Sequence, residues 1–169
     1  MNRPNPTQTQ RSLGENDFIV SKTDKKGKII YGNKIFIQIS GYKESELLGQ
    51  PHSILRHPDM PKIIFKLLWD RIQNKREIFA YVKNLCKDGS YYWVLANVTA
   101  TVDEKGNIRD FHSVRRKPSS KAMNEIPNLY AQLLNAEKSG GIEASKKLLD
   151  KILEEKGGDY DKYILNLQQ

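Results

Sequence analysis

At 169 residues the chain is long enough for one domain with a real core plus an extension, and short for two full domains. Its net charge of +8 lies in residues 1–117, which carry 21 basic and 12 acidic side chains against 7 and 8 in the remainder; apart from Arg115-Arg116-Lys117 the basic residues are scattered, which argues for a solvated surface and against nucleic-acid binding. A single cysteine, Cys86, excludes an internal disulfide and a multi-cysteine metal site, and with no apolar run of spanning length and no signal-peptide core in Met1–Asn16 the chain reads as soluble and cytoplasmic.

Residues 1–15 are rich in Asn, Gln, Thr and Pro and read as a flexible arm. Phe18-Ile19-Val20 and Lys28-Ile29-Ile30-Tyr31, joined by Asp24-Lys25-Lys26-Gly27, predict a hairpin. Asn33 can then cap a helix over Lys34–Ser40, where Ile35, Phe36 and Ile39 have helical spacing. Gly41-Tyr42 breaks it, Ser45–Leu48 is another helical turn, and Gly49 stops that one.

The next thirteen residues, Gly49–Pro61, hold three prolines, two histidines, an arginine and an aspartate. Proline fixes φ and restricts the residue before it, so this is a stiff connection, able to hold polar side chains at a set angle. The plainer reading makes Asp59 the cap of the following helix. That helix, Pro61–Asn74, carries Ile64, Leu67, Leu68 and Ile72 on one stripe with Phe65 and Trp69 beside it.

Three strands follow, Phe79–Cys86, Tyr91–Val102 and Ile108–Arg116, linked by the turn signals Lys87-Asp88-Gly89 and Asp103-Glu104-Lys105-Gly106. The order predicts an α+β domain over residues 16–117: a five-stranded antiparallel sheet with helices on one face, enclosing a ligand pocket. Residues 118–169 form a C-terminal helical extension, with apolar stripes at Met123–Leu134 and Ala144–Leu153, an interruption at Gly140-Gly141 and a short last segment, Tyr160–Leu167. Those stripes must be buried on the domain or against a partner, and the sequence does not decide which.

This order, with Gly41-Tyr42, Glu46-Leu47-Leu48-Gly49-Gln50-Pro51 and Lys87-Asp88-Gly89-Ser90-Tyr91-Tyr92-Trp93-Val94, resembles a PAS domain. The loop Gly49-Gln50-Pro51-His52 followed by Arg56-His57-Pro58-Asp59-Met60-Pro61 is similar to the sensory PAS domain of aerotaxis receptors (the Aer type), as are Val82-Lys83-Asn84, Ala96-Asn97 and Ile126-Pro127-Asn128-Leu129-Tyr130. The resemblance covers roughly residues 17–135. It implies non-covalent FAD and a redox or energy sensor that reports to chemotaxis machinery. Aer-type receptors continue into a membrane anchor and a signalling domain. This chain looks more like the separate PAS subunit of a bipartite energy-taxis system, whose expected partner is a membrane-anchored methyl-accepting transducer that would hold it at the membrane. A homodimer through the PAS domain or the terminal helices is a second expected contact.

The flavin edge asks for groups that donate and accept, and Asn84 and Asn97 on adjacent strands are the candidates, the outer sheet face being the alternative for each. Asn33 either caps its helix or touches the ligand, and the resemblance implies the latter. Arg56 suits a phosphate; His57 and Asp59 either hold the loop or contact cofactor; the resemblance implies a binding role for all three. Trp69 either stacks on the flavin or belongs to the core. Phe79 stands where Aer-type domains carry a tryptophan beside the flavin, keeping the stacking surface and losing the indole N–H. A photosensor adduct needs a cysteine in the central helical region, and Cys86 lies at a strand end. Haem is the alternative cofactor, with His52 or His57 as axial ligand and His112 structural; a cofactor-free adaptor is a third reading. No nucleophile–base set or metal motif points to an enzyme.

Overall fold

The computed structural model describes residues 2–169. Strands β1 (Ile19–Asp24), β2 (Ile29–Gly32), β3 (Ile78–Leu85), β4 (Tyr91–Val102) and β5 (Ile108–Arg116) form one antiparallel sheet in the order β2-β1-β5-β4-β3. Between β2 and β3 come α1 (Lys34–Ser40), α2 (Glu44–Leu47), a 3₁₀ turn (His52–Leu55) and α3 (Lys62–Gln73). The helices and the strands other than β1 lie within two residues of their sequence expectations; β1 runs on to Asp24, where the sequence predicts the turn, and the 3₁₀ turn lies in what the sequence presents as a stiff loop.

The side chains of Val82, Asn84, Ala96 and Val98 point to the face that α3 and the 3₁₀ turn cover, and a cavity lies between them. Tyr81, Trp93 and Leu95, at the alternate positions, point the other way, as strand geometry requires. Both faces are buried there. The cover on the second face is the C-terminal extension: α4 (Ser120–Glu155), broken at Gly141, and α5 (Tyr160–Leu167). Tyr130 packs on Trp93 with centroids 5.9 Å apart, and Tyr81 Oη donates to the Ile164 carbonyl at 3.0 Å. The apolar stripes of the extension are therefore spent on the domain itself.

β3 is an edge strand, and an edge exposes unpaired backbone groups. Here Tyr130 Oη donates to the Tyr81 carbonyl at 2.6 Å and Tyr160 Oη to the Phe79 carbonyl at 2.8 Å. The Lys83 N–H meets Met60 Sδ at 3.3 Å, and Arg56 bridges Asn84. On the opposite edge the segment Gly49–His52 bonds β2 at Ile29 and the β1–β2 turn at Gly27.

The helix α3 is capped from a distance. Asp59 does not cap it: the N-cap is Pro61, and Glu137 of α4 accepts from the N–H groups of Lys62 at 2.8 Å and Ile63 at 3.0 Å. A carboxylate there meets the free amides and positive end of the helix dipole. The arm also has a definite course where the sequence predicts flexibility. Thr7 N–H bonds the Gly89 carbonyl, Tyr91 N–H bonds Thr9, and Arg11 N–H bonds Tyr91, which extends β4 where β5 no longer reaches. Gly89 has φ +90°, and a Cβ on it would lie 2.2 Å from the Asn5 carbonyl oxygen, so the arm seats on a glycine that no other residue replaces.

Candidate functional site

The cavity has a volume of about 310 Å³, at the small end for a ligand site. It has an apolar flank of Phe65, Leu68, Trp69 and Ile72 from α3 with Val82, Val98 and Phe111 from the sheet. Trp69 meets Phe111 edge-on at 5.4 Å. That volume is on the scale of one flat ring system, and the cavity opens to solvent.

The polar part of the wall has one sign. Arg56, Arg115, Lys26, His52 and Asn84 line it, and among the described residues no aspartate or glutamate does. Arg115 is 2% exposed, at an inward position of β5. Its Nη2 bonds Ser21 Oγ and its guanidinium carbon lies 4.8 Å from the Phe36 ring, while Nε and Nη1 are buried without a partner. Arg56 lies 3.8 Å over the Phe65 ring, its Nε likewise unpartnered. His52 Nε2, Asn84 Nδ2 and Tyr92 Oη are also buried without partners. Each orphaned group costs on the order of 1–3 kcal/mol, more when charged. Six such atoms in and beside one small cavity are a demand for a polar ligand, and the arginine and amide nitrogens among them ask for acceptors.

Burial, helped by the charges of Arg115 and Arg56, pushes His52 down to about 3, so its imidazole is neutral; the ring stacks on Phe36 at 6.1 Å and 8°. Burial lowers both Arg115 and Arg56, and on Arg56 the charge of Arg3 adds to the effect.

The structure brings Arg56, Trp69 and Asn84 together at the cavity. It places the other candidates elsewhere. Asn97 and Phe79 are cross-strand partners on the opposite sheet face, where Asn97 Nδ2 bonds Glu77 at 3.2 Å. Asn33 caps α1, accepting from Phe36 N–H at 3.1 Å and donating to the Phe18 carbonyl at 2.9 Å. His57 Nδ1 accepts the Asp59 N–H at 3.0 Å, and burial followed by the Lys83 charge lowers its pKa. With Nδ1 accepting, the imidazole is neutral, so its 3.7 Å approach to the Asp59 carboxylate is no ion pair. Asp59 instead pairs with Lys83 at 2.8 Å, fixing the loop to β3.

Sequence reading passed over Arg115, Tyr92 and Phe65. The signal for Arg115 was available: with Phe111 and Ser113 it occupies one alternation of β5, and a cation on the inward alternation of a covered strand requires a counter-charge.

Residues 29–115 match the family model described as "PAS fold". The chain is 37% identical over 130 residues to the aerotaxis receptor of Escherichia coli K12, which covers 77% of this chain and 26% of that protein. It is 24% identical over 156 residues to phototropin-1A of Oryza sativa subsp. japonica, covering 89% of this chain and 17% of the relative. It thus spans about a quarter or less of the curated relatives it matches. Among solved structures, the light state of the blue-light photoreceptor Aureochrome1 LOV superposes with TM-score 0.54 at 26% identity, covering 74% of this chain and 92% of that one. A light-oxygen-voltage domain studied with a flavin analogue gives TM-score 0.57 at 23% identity, over 66% and 83%.

Proposed function

Because the chain belongs to the family of PAS-fold domains, we propose that its cavity binds FAD and that it senses redox or energy state, passing the signal by protein contact to a membrane-bound chemotaxis transducer. The observation that carries the reading is the set of buried, unpartnered polar atoms around Arg115, with no carboxylate among the described residues of the wall to answer them. Asn84, Tyr92 and Arg115 would hold the polar edge of a flavin ring, and Trp69, Phe65, Leu68 and Ile72 its apolar flank. A bound flavin supplies reversible electron uptake with a change of ring charge and protonation. Arg115 then sets how favourable a negative ring is, since a buried guanidinium has no other charge to meet.

Relatedness to an aerotaxis receptor supports the partner class. The route outward is short: Asn84 on β3 lies three residues from Tyr81, which bonds α5 and α4 on the far face.

The test is an absorption spectrum of natively purified protein, with chromatography of what it releases on denaturation. A two-band flavin spectrum and recovered FAD are expected. A Soret band would turn the case to haem, for which His52, with its free Nε2 in the wall, is the ligand the geometry offers. Colourless protein that takes up no added FAD would leave a cofactor-free adaptor. Co-purification with a transducer's cytoplasmic part tests the partner.

A further inference from the structure

We propose that Arg3 is part of the nucleotide site, joining Arg56 across the cavity mouth to hold the diphosphate of a dinucleotide. The inference rests on the flavin reading above and extends it to a residue outside the PAS-fold segment.

Three observations carry it. The cavity is small for a dinucleotide, so beyond the ring the ligand would continue out of it, and the part-exposed Ser53 and Arg56 of its wall, beside the exposed Arg3, mark a mouth. Arg3 Nη2 donates to the Ser53 carbonyl at 2.6 Å, which brings the far end of the arm to that mouth. Among the described residues neither Arg3 nor Arg56 forms a salt bridge, and the charge that Arg56 feels is the repulsive one of Arg3. Two guanidinium groups held near each other without an acid oppose one another in the empty site. A diphosphate between them turns that repulsion into two charge-assisted, fork-shaped contacts. The arm can deliver Arg3 because it is anchored a few residues further along the chain: Arg11 bonds Asp88 at 2.7 Å and the Ile39 carbonyl at 3.2 Å, and Thr7 and Thr9 bond the β3–β4 turn and Tyr91.

The alternative is a strap that merely closes the domain, with the Ser53 bond its last fastening. FAD and riboflavin separate the two, because they share the ring and differ in the phosphates and adenosine. Titration of full-length apoprotein with each, followed by flavin fluorescence, is expected to show Arg3→Glu weakening FAD about tenfold. Riboflavin should stay within about twofold, and Arg3→Lys, which keeps the charge and loses the fork, should fall between wild type and Arg3→Glu in FAD affinity. Equal weakening of both ligands by Arg3→Glu would mean a strap, and unchanged FAD affinity would mean no contact; either overturns the proposal. Wild-type protein that takes up neither flavin would overturn the flavin reading itself, a failure visible before any variant is made.

Discussion

Asn84 and Asn97 sit on neighbouring strands and face opposite sides of the sheet. Asn84 pairs with Tyr92 and Asn97 with Phe79, five positions away along β3, and an odd separation on a strand reverses the face. Asn84→Ala is therefore expected to weaken flavin binding about tenfold by removing one buried amide donor. Asn97→Ala should leave it within about twofold. Titration of the two apoproteins side by side checks this; a loss at Asn97 equal to that at Asn84 would sink the site assignment.

Arg115 should show a conflict between stability and binding. A buried cation without a counter-charge destabilises the empty protein, and replacing it with an apolar side chain of similar length removes that cost. Arg115→Met is expected to raise the melting temperature of apoprotein while lowering FAD affinity by at least tenfold, about 1.4 kcal/mol. Thermal melts with and without FAD give both halves. A variant less stable in both states would make Arg115 a structural residue.

Acid sensitivity should begin early. The folded pKa of His52, about 3, lies below its ordinary 6.5, so the unfolded chain binds the extra proton between those values. Stability then rises with pH across that window and falls as the solution is acidified from about 6.5. The slope from this group approaches about 1.4 kcal/mol per pH unit. His52→Phe, which keeps a ring against Phe36, is expected to flatten urea-derived stability between pH 6 and about 4. Carboxylates such as Asp88, held near 2 by its bonds from Ser90 and then Arg11, act lower, as they approach their ordinary range. An unchanged slope would mean that water reaches His52.

Tyr130→Phe should cost about 1–3 kcal/mol, because it strips the hydroxyl from the Tyr81 carbonyl and leaves that acceptor buried. Chemical denaturation measures it. A cost below about 0.5 kcal/mol would mean that another group takes over the bond.

Much of the architecture was readable in advance because it rests on local signals. Asn33 before Lys34–Ser40, Gly89 in the β3–β4 turn and the stripe of α3 each announce an element within a few residues of themselves. The facing of Asn97 was readable too, once the Asp88-Gly89 turn fixes the register of the hairpin; treating adjacent strands as one wall overlooked that parity. Other features had no local sign. Glu137 caps α3 from 75 positions away, and Tyr160 reaches Phe79 across 81. The arm looked free because polar residues with no apolar period give no hint of a docking partner, yet much of its seating is by backbone bonds, which any sequence can make, with Arg3 and Arg11 adding side-chain bonds.

The closing of the β3 edge by two tyrosine hydroxyls and the loop before α3, matched on β2 by Gly49–His52, has a consequence for assembly. The β3 margin is largely closed to an incoming strand, and on β2 the loop covers the end at Ile29, which leaves at most the short stretch around Tyr31 for β-addition. A protein that reads this domain is then expected to do so mainly through side chains on a face, which makes recognition a matter of shape and charge and leaves it open to change by single substitutions.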